Sequence, residues 1–242
     1  MTSFRHDSGP DPIRPDLVQA YQGAWDHIAA AGTWLTGVQR VAVADETRRA
    51  KKCALCLARA KALSPFSVEG EHDHGGALSE SMVDEIHRVT TDAGRLTEKW
   101  YRSLLDQGMT AETYVEALGV SVLVISIDAF HKAMGFPLEP LPAPCPGEPS
   151  RIRPDAIVDG DAWVPIQSAH DVGALAGLPG PAPYALRALS LVPDEVLAWR
   201  RVSDAQYLSV VEMREFGRIR ELDRSQIELV AGRVSALNEC FY

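Results

Sequence analysis

Two cysteines three positions apart, Cys53-Ala-Leu-Cys56, are the residues whose type and spacing point most directly to chemistry in this 242-residue chain. In a helix, positions i and i+3 share a face, so the two thiols fall about one turn apart. Thiolate is the nucleophile toward an O–O bond. A sulfenic acid formed on one thiol can condense with the other to a disulfide, which an external dithiol must then reduce. The reaction needs a thiol pKa brought down from about 8.5 by a helix N-terminus or a neighbouring cation; Lys51, Lys52 and Arg59 are close in sequence. Two other readings of the pair stay open. Cysteine is among the most buried residue types, so both could be small core hydrophobes. Zinc could also be held if His72 and His74 completed a Cys2His2 set. The fifteen residues between Cys56 and His72, and the H-x-H spacing, fit common zinc patterns poorly. His72 and His74 are further candidates as acid/base groups, or else belong to a solvated loop, Glu69-Gly-Glu-His-Asp-His-Gly-Gly76.

The remaining composition narrows the setting. With 46% hydrophobic residues the chain can bury a substantial core, and its net charge of -9, without a long Lys/Arg run, argues against nucleic acid as a partner. The polar, proline-broken N-terminus lacks a signal-peptide core, and the most apolar stretch, Gly119 to Ile127, is short for a membrane span. A cytoplasmic protein without membrane association is expected. Four cysteines are few for a disulfide scaffold, and Cys145, among prolines, reads as a spectator.

The elements that must position the thiols read as helices, so an all-α fold is expected. Residues 1–16 form a proline-rich lead that predicts disorder. From Leu17 the set Leu17, Ala20, Tyr21, Ala24, Trp25 and Ile28 repeats with helical period, and helical patterning continues across residues 35–62. Further helices are expected near Ser81 to Ala93, where His87 reads as structural, and Thr97 to Gln107, which Gly108 ends. The longest is expected from Ala111 to Met134, N-capped by Thr110 and stopped by Gly135 and Pro137. Its middle, Val120 to Ile127, is apolar nearly all round, which suits the centre of a bundle or a subunit interface; His131 and Asp128 near its end suit buried polar partners. Eleven of the sixteen prolines lie between Pro137 and Pro183, so residues 137–183 read as a linker or extended arm, with short strands near Ala156 to Val164. Two helices then follow, one around Tyr207 to Met213 and one across Ile227 to Leu237.

The chain also repeats itself. An offset of 187 aligns Leu35 with Leu222, Gln39 with Gln226, Val43 with Val230, Ala44 with Ala231 and Cys53 with Cys240. Residues 17–136 are thus expected to form one module and residues 184–242 the N-terminal part of a second. The chain stops one position before the second cysteine of a C-x-x-C would fall. A shortened chain, a frameshift, or a stop that is a selenocysteine codon, giving Cys-Phe-Tyr-Sec, would each account for this.

With these residues in place, Cys53-Ala-Leu-Cys56, Tyr114-Val-Glu-Ala-Leu-Gly and the stretch from Gln226 through Cys240 to Tyr242 resemble the alkylhydroperoxidase D-like branch of the carboxymuconolactone decarboxylase superfamily. The resemblance covers roughly Leu17 to Gly135 and Tyr184 to Tyr242 and implies an all-α alkylhydroperoxidase D-like helical bundle with an incomplete second repeat. It further implies thiol-dependent hydroperoxide reduction, with Cys56 as the peroxidatic thiol, Cys53 as its resolving partner and Cys240 as the first thiol of the second copy. A hydroperoxide substrate, an external dithiol reductant and a homo-oligomer are implied, with no metal or organic cofactor. The family's proton-relaying glutamate, twelve residues before the first cysteine, corresponds to Glu228 in copy two but to Val41 in copy one. The family's histidines, one within the motif and one four residues after it, correspond to Leu55 and Ala60. Two alternatives remain: decarboxylase or lactone chemistry of the broader superfamily, and a catalytically silent helical oligomerisation or interaction module.

Overall fold

The computed structural model describes residues 13–158, 160, 162–217, 220–238 and 240. Ten α-helices account for most of them: α1 Pro15–Ala29, α2 Gly37–Ala50, α3 Ala54–Lys61, α4 Glu80–Asp92, α5 Glu98–Asp106, α6 Ala111–Met134, α7 Ala169–Leu175, α8 Tyr184–Arg187, α9 Pro193–Gln206 and α10 Arg224–Leu237. The fold is all-α apart from one small antiparallel pair, β1 Ile157–Val158 and β2 Ile166–Gln167, in which Ile157 faces Gln167 and Val158 faces Ile166. Strand β1 falls within the stretch Ala156 to Val164 expected to hold short strands, and β2 lies just beyond it.

Helix α6 runs through the middle. Thr110 caps it, its hydroxyl accepting the Thr113 N–H at 3.1 Å. Gly135 ends it in the left-handed conformation at φ +71°, which lets the Phe136 N–H reach back to the His131 carbonyl. Val115, Val120, Leu123, Val124 and Ile127 are fully buried, and each such side chain contributes about 1.5–3 kcal/mol relative to exposure. The apolar circumference of α6 is covered within the chain by α2 and α4 on one side and α9 on another. By length and composition α6 could also cross a membrane, but most of it lies buried in the bundle.

A buried ionic cluster ties four helices together. Arg40 of α2 donates from Nη1 to Glu116 of α6 at 2.5 Å and to Glu195 of α9 at 2.8 Å, while His27 of α1 lies 2.9 Å from the same Glu195 oxygen. Space for Glu195 depends on Gly119: a Cβ there would lie 2.5 Å from Oε2.

Several sequence expectations change. Residues 1–12 of the lead lie outside the described residues, and α1 starts at Pro15 because proline suits the first helical turn. The helical stretch 35–62 breaks at Lys51–Cys53 into α2 and α3. Helix α9 occupies residues 193–206, so the helix expected around Tyr207 to Met213 is displaced toward the N-terminus; a short 3-10 turn, Glu212–Arg214, follows instead. The proline-rich segment 137–183 lies against the bundle. Trp25 donates to the Pro140 carbonyl and Cys145 to that of Ala29, while Val164, Ile166 and Val172 join the main core. One main core therefore draws buried residues from Leu17 through to Ala205.

The internal repeat has a structural counterpart. Helices α2 and α10 are both fourteen residues long, and their bounds differ by the same 187 that aligns Cys53 with Cys240. Each opens with a capping box, Thr36 with Gln39 and Asp223 with Gln226. Their surroundings differ: α2 is packed by α1, α4 and α6, whereas α10 carries no buried residue.

Candidate active site: two thiols, two imidazoles and two carboxylates

The site is built where α2 hands over to α3. After Ala50 the chain turns through Lys51 and Lys52, and Cys53, with extended backbone, becomes the N-cap of α3. This stands Cys56 on the first turn, beside it. The Asp73 carboxylate accepts the Ala54 N–H at 2.9 Å and thereby docks the polar loop of residues 62–79 onto the start of α3. That docking carries His72 inward: its Nδ1 lies 3.6 Å from Cys53 Sγ and 3.5 Å from Cys56 Sγ.

A second histidine comes from α4. Met82, Val83 and Ile86 turn one face of that helix into the core, and His87, on the same face, is fully buried with Nδ1 3.2 Å from Cys56 Sγ. The two rings stack edge-on, with centroids 4.3 Å apart. Each imidazole is held from behind by a carboxylate. His87 Nε2 lies 2.9 Å from Glu46 Oε1, whose other oxygen accepts the Gly75 N–H. His72 Nε2 lies 2.9 Å from Asp84 Oδ1, and Asp84 also accepts from Trp100 Nε1 at 2.6 Å and Arg59 Nη1 at 3.1 Å.

The charges follow from these contacts. Burial opposes ionisation of Asp84, but hydrogen bonds from His72 and Trp100 and the Arg59 charge outweigh it and hold the carboxyl at about 2. Burial likewise disfavours a charged His72, yet Asp84 and the sulfurs of Cys56 and Cys53 raise it to about 10, so an imidazolium stands against both sulfurs at neutral pH. For Cys53, the upward push of burial is overcome by the backbone amides of Cys56 and Asp73 and by His72, which lower its pKa and favour thiolate. For His87 burial, with the His72 charge, outweighs the raising effect of the Glu46 hydrogen bond and depresses the pKa, which favours the neutral ring as a proton acceptor.

Both thiols are free and nearly inaccessible, Cys53 at 1% and Cys56 at 2% exposure. Cys53 is nonetheless reachable at its edge: it lines a cavity of about 370 Å³ with Asp45, Arg48, Arg49, Lys52 and Asp73. Of the cations expected near the thiols, Lys52 lines this cavity, joined by Arg48 and Arg49, while Lys51 does not line it and Arg59 pairs with Asp84.

Of the residues singled out from sequence, Cys53, Cys56 and His72 come together. His74 does not join them; its Nδ1 accepts the Gly76 N–H and its Nε2 faces the exposed Glu80 at 3.5 Å. Cys240 is exposed just beyond α10, and Glu228, on α10, is bonded by Tyr207 and Arg224. Asp128 pairs with Arg48, and His131 bonds the Pro137 carbonyl, as befits buried polar partners. The residues that sequence reasoning missed are His87, Glu46 and Asp84. The signal for Glu46 lay in its burial side: it stands three positions after Val43, on the face of α2 turned toward α4. Comparison with known proteins gives no matching family model, no matching curated protein and no matching solved structure.

Proposed function

We propose that Cys53 and Cys56 form a redox-active dithiol that reduces hydroperoxides, with Glu46 and His87 as its proton relay and an external dithiol as its reductant. The observation that carries this reading is the chain of contacts from Cys56 Sγ to His87 Nδ1 and from His87 Nε2 to Glu46. A buried thiol needs a base to become nucleophilic, and an imidazole oriented by a carboxylate is the usual solution.

In the first step His87 takes the Cys56 proton, and the thiolate attacks the terminal oxygen of ROOH. The O–O bond breaks, Cys56 becomes a sulfenic acid, and the departing alkoxide takes a proton from the imidazolium to leave as ROH. Cys53, whose lowered pKa favours thiolate, then attacks the sulfenic sulfur, forming the Cys53–Cys56 disulfide and expelling hydroxide, which takes a proton from the His72 imidazolium to leave as water. An external dithiol entering by the cavity at Cys53 restores both thiols and leaves as its own disulfide. Copy one thus has a carboxylate and two imidazoles of its own in place of those that Val41, Leu55 and Ala60 fail to provide. The alkylhydroperoxidase D-like identity of the bundle, a homo-oligomeric state and a reducing, cytoplasmic setting belong to the same proposal; the matched helices α2 and α10 support its second, incomplete repeat.

The test is peptide mass spectrometry after exposure to an organic hydroperoxide. A Cys53–Cys56 disulfide is expected in the unaltered protein, and a trapped sulfenic acid on Cys56 in Cys53→Ser. Thiols that stay reduced throughout would remove the proposal.

A further inference from the structure

We infer that Cys53, Cys56, His72 and His87 are the ligands of a zinc site, spaced C-x2-C-x15-H-x14-H. The four donor atoms, two Sγ and two Nδ1, all lie within 4.8 Å of one another. Tetrahedral zinc with Zn–S about 2.3 Å and Zn–N about 2.0–2.1 Å requires S–N separations of about 3.6 Å. Three of the four S–N separations are 3.6, 3.5 and 3.2 Å, and the fourth lies within 4.8 Å. Both histidines turn the same nitrogen inward and give the other to a carboxylate, Asp84 for His72 and Glu46 for His87. That pairing is the outer shell which fixes ring orientation and raises ligand basicity at zinc. Two thiolates balance the charge of a divalent ion, and an S2N2 set favours zinc over magnesium or calcium, which take oxygen. Four protein donors leave no open position, so the site is a closed, structural one.

Packing gives a second reason. Cys53, Leu55 and Cys56, with Val68 against them, form a small cluster apart from the main core. The loop of residues 62–79 holds one 3-10 turn and three glycines, Gly70, Gly75 and Gly76, and yet keeps the His72 side chain only 7% exposed. Segments with so little apolar support are commonly held by a metal or disulfide.

Zinc binding goes beyond the peroxidase proposal and does not depend on it. Where both hold, hydroperoxide oxidises the two bound thiolates to the disulfide: ROOH and two protons become ROH and water, and the zinc ion is released. The metal-free form then turns over with the external dithiol.

The experiment is titration of the reduced, metal-free full chain with cobalt(II) and then zinc(II), alongside disulfide formation by hydroperoxide in the metal-free protein. One cobalt per chain is expected, with visible bands of tetrahedral intensity and a thiolate-to-cobalt band in the near ultraviolet, all lost on adding one equivalent of zinc. Glu46→Gln is expected to weaken zinc by about 10–100-fold, whereas His74→Ala leaves affinity unchanged. Absence of the thiolate band in the unaltered protein, or full retention of binding in Cys56→Ser and His87→Gln, overturns the zinc site. Disulfide formation without metal binding overturns zinc alone, and metal binding without disulfide formation overturns the peroxidase proposal alone.

Discussion

His87 faces Cys56 with one ring nitrogen at 3.2 Å and Glu46 with the other at 2.9 Å, so a single buried imidazole links a thiol on α3 to a carboxylate on α2. In the redox reading His87 is the base and Glu46 its positioning residue. His87→Gln is expected to slow oxidation of Cys56 by about 100-fold or more. Glu46→Gln is expected to slow it by about tenfold, with partial recovery in Glu46→Asp, which keeps the charge. Stopped-flow oxidation by an organic hydroperoxide across a pH series measures both. Equal rates in all three variants would remove His87 and Glu46 from the mechanism.

The two histidines of the polar loop separate by the same logic. His72 lies against both sulfurs, whereas His74 faces Glu80 at the surface. His72→Ala is therefore expected to raise the pKa of Cys53, read by the pH dependence of its alkylation, and to slow disulfide closure. His74→Ala is expected to match the unaltered protein in both measurements.

The ionic cluster of α1, α2, α6 and α9 predicts acid sensitivity. Burial would raise the pKa of Glu195, but the charges of Arg40 and His27 hold it at about 2, against an ordinary 4.5. A carboxyl with a depressed folded-state pKa contributes stability that is complete above the unfolded value and is lost as pH falls through the folded one. Glu116, which shares Arg40, is raised by burial and acts in the opposite sense. Glu195→Gln is expected to cost about 3 kcal/mol at neutral pH, and the gap to the unaltered protein should close between about pH 4.5 and 2. Urea denaturation over that range provides the measurement; a gap independent of pH would contradict the assignment.

Glu85 is fully buried and neither of its oxygens finds a hydrogen-bond partner, and burial pushes its pKa well above the usual carboxylate range. Replacing it by a flexible apolar side chain of similar size, Glu85→Met, is expected to stabilise the fold by about 1–3 kcal/mol. Thermal unfolding decides, and a lower melting temperature would show that the carboxyl has a structural partner.

Much of the fold was legible because local signals and burial agree. Thr110 and Gly135 bracket α6 at the expected residues, and the apolar period of α1 begins where Leu17, Tyr21, Ala24 and Trp25 enter the core. The break between α2 and α3 was not legible, because Lys51 and Lys52 are good helix formers and no glycine or proline marks the turn. The thiols were legible from their spacing. Their partners were not, because Glu46, Asp84 and His87 reach the site through helix packing that no sequence interval encodes. His87 in particular stood on an amphipathic helix, where a structural role is the commoner outcome. His72 and His74 were indistinguishable in sequence; which of them turned inward was decided by Asp73 docking onto the Ala54 N–H.

The central claim, a dithiol that reduces hydroperoxides, is tested most directly by following consumption of an organic hydroperoxide by the metal-free protein with an excess of a dithiol reductant, beside Cys53→Ser and Cys56→Ser. Sustained turnover in the unaltered chain and its loss in both variants, with sulfenic acid trapped on Cys56 in Cys53→Ser, is the predicted result. No turnover in the unaltered chain, or turnover that survives Cys56→Ser, would contradict it.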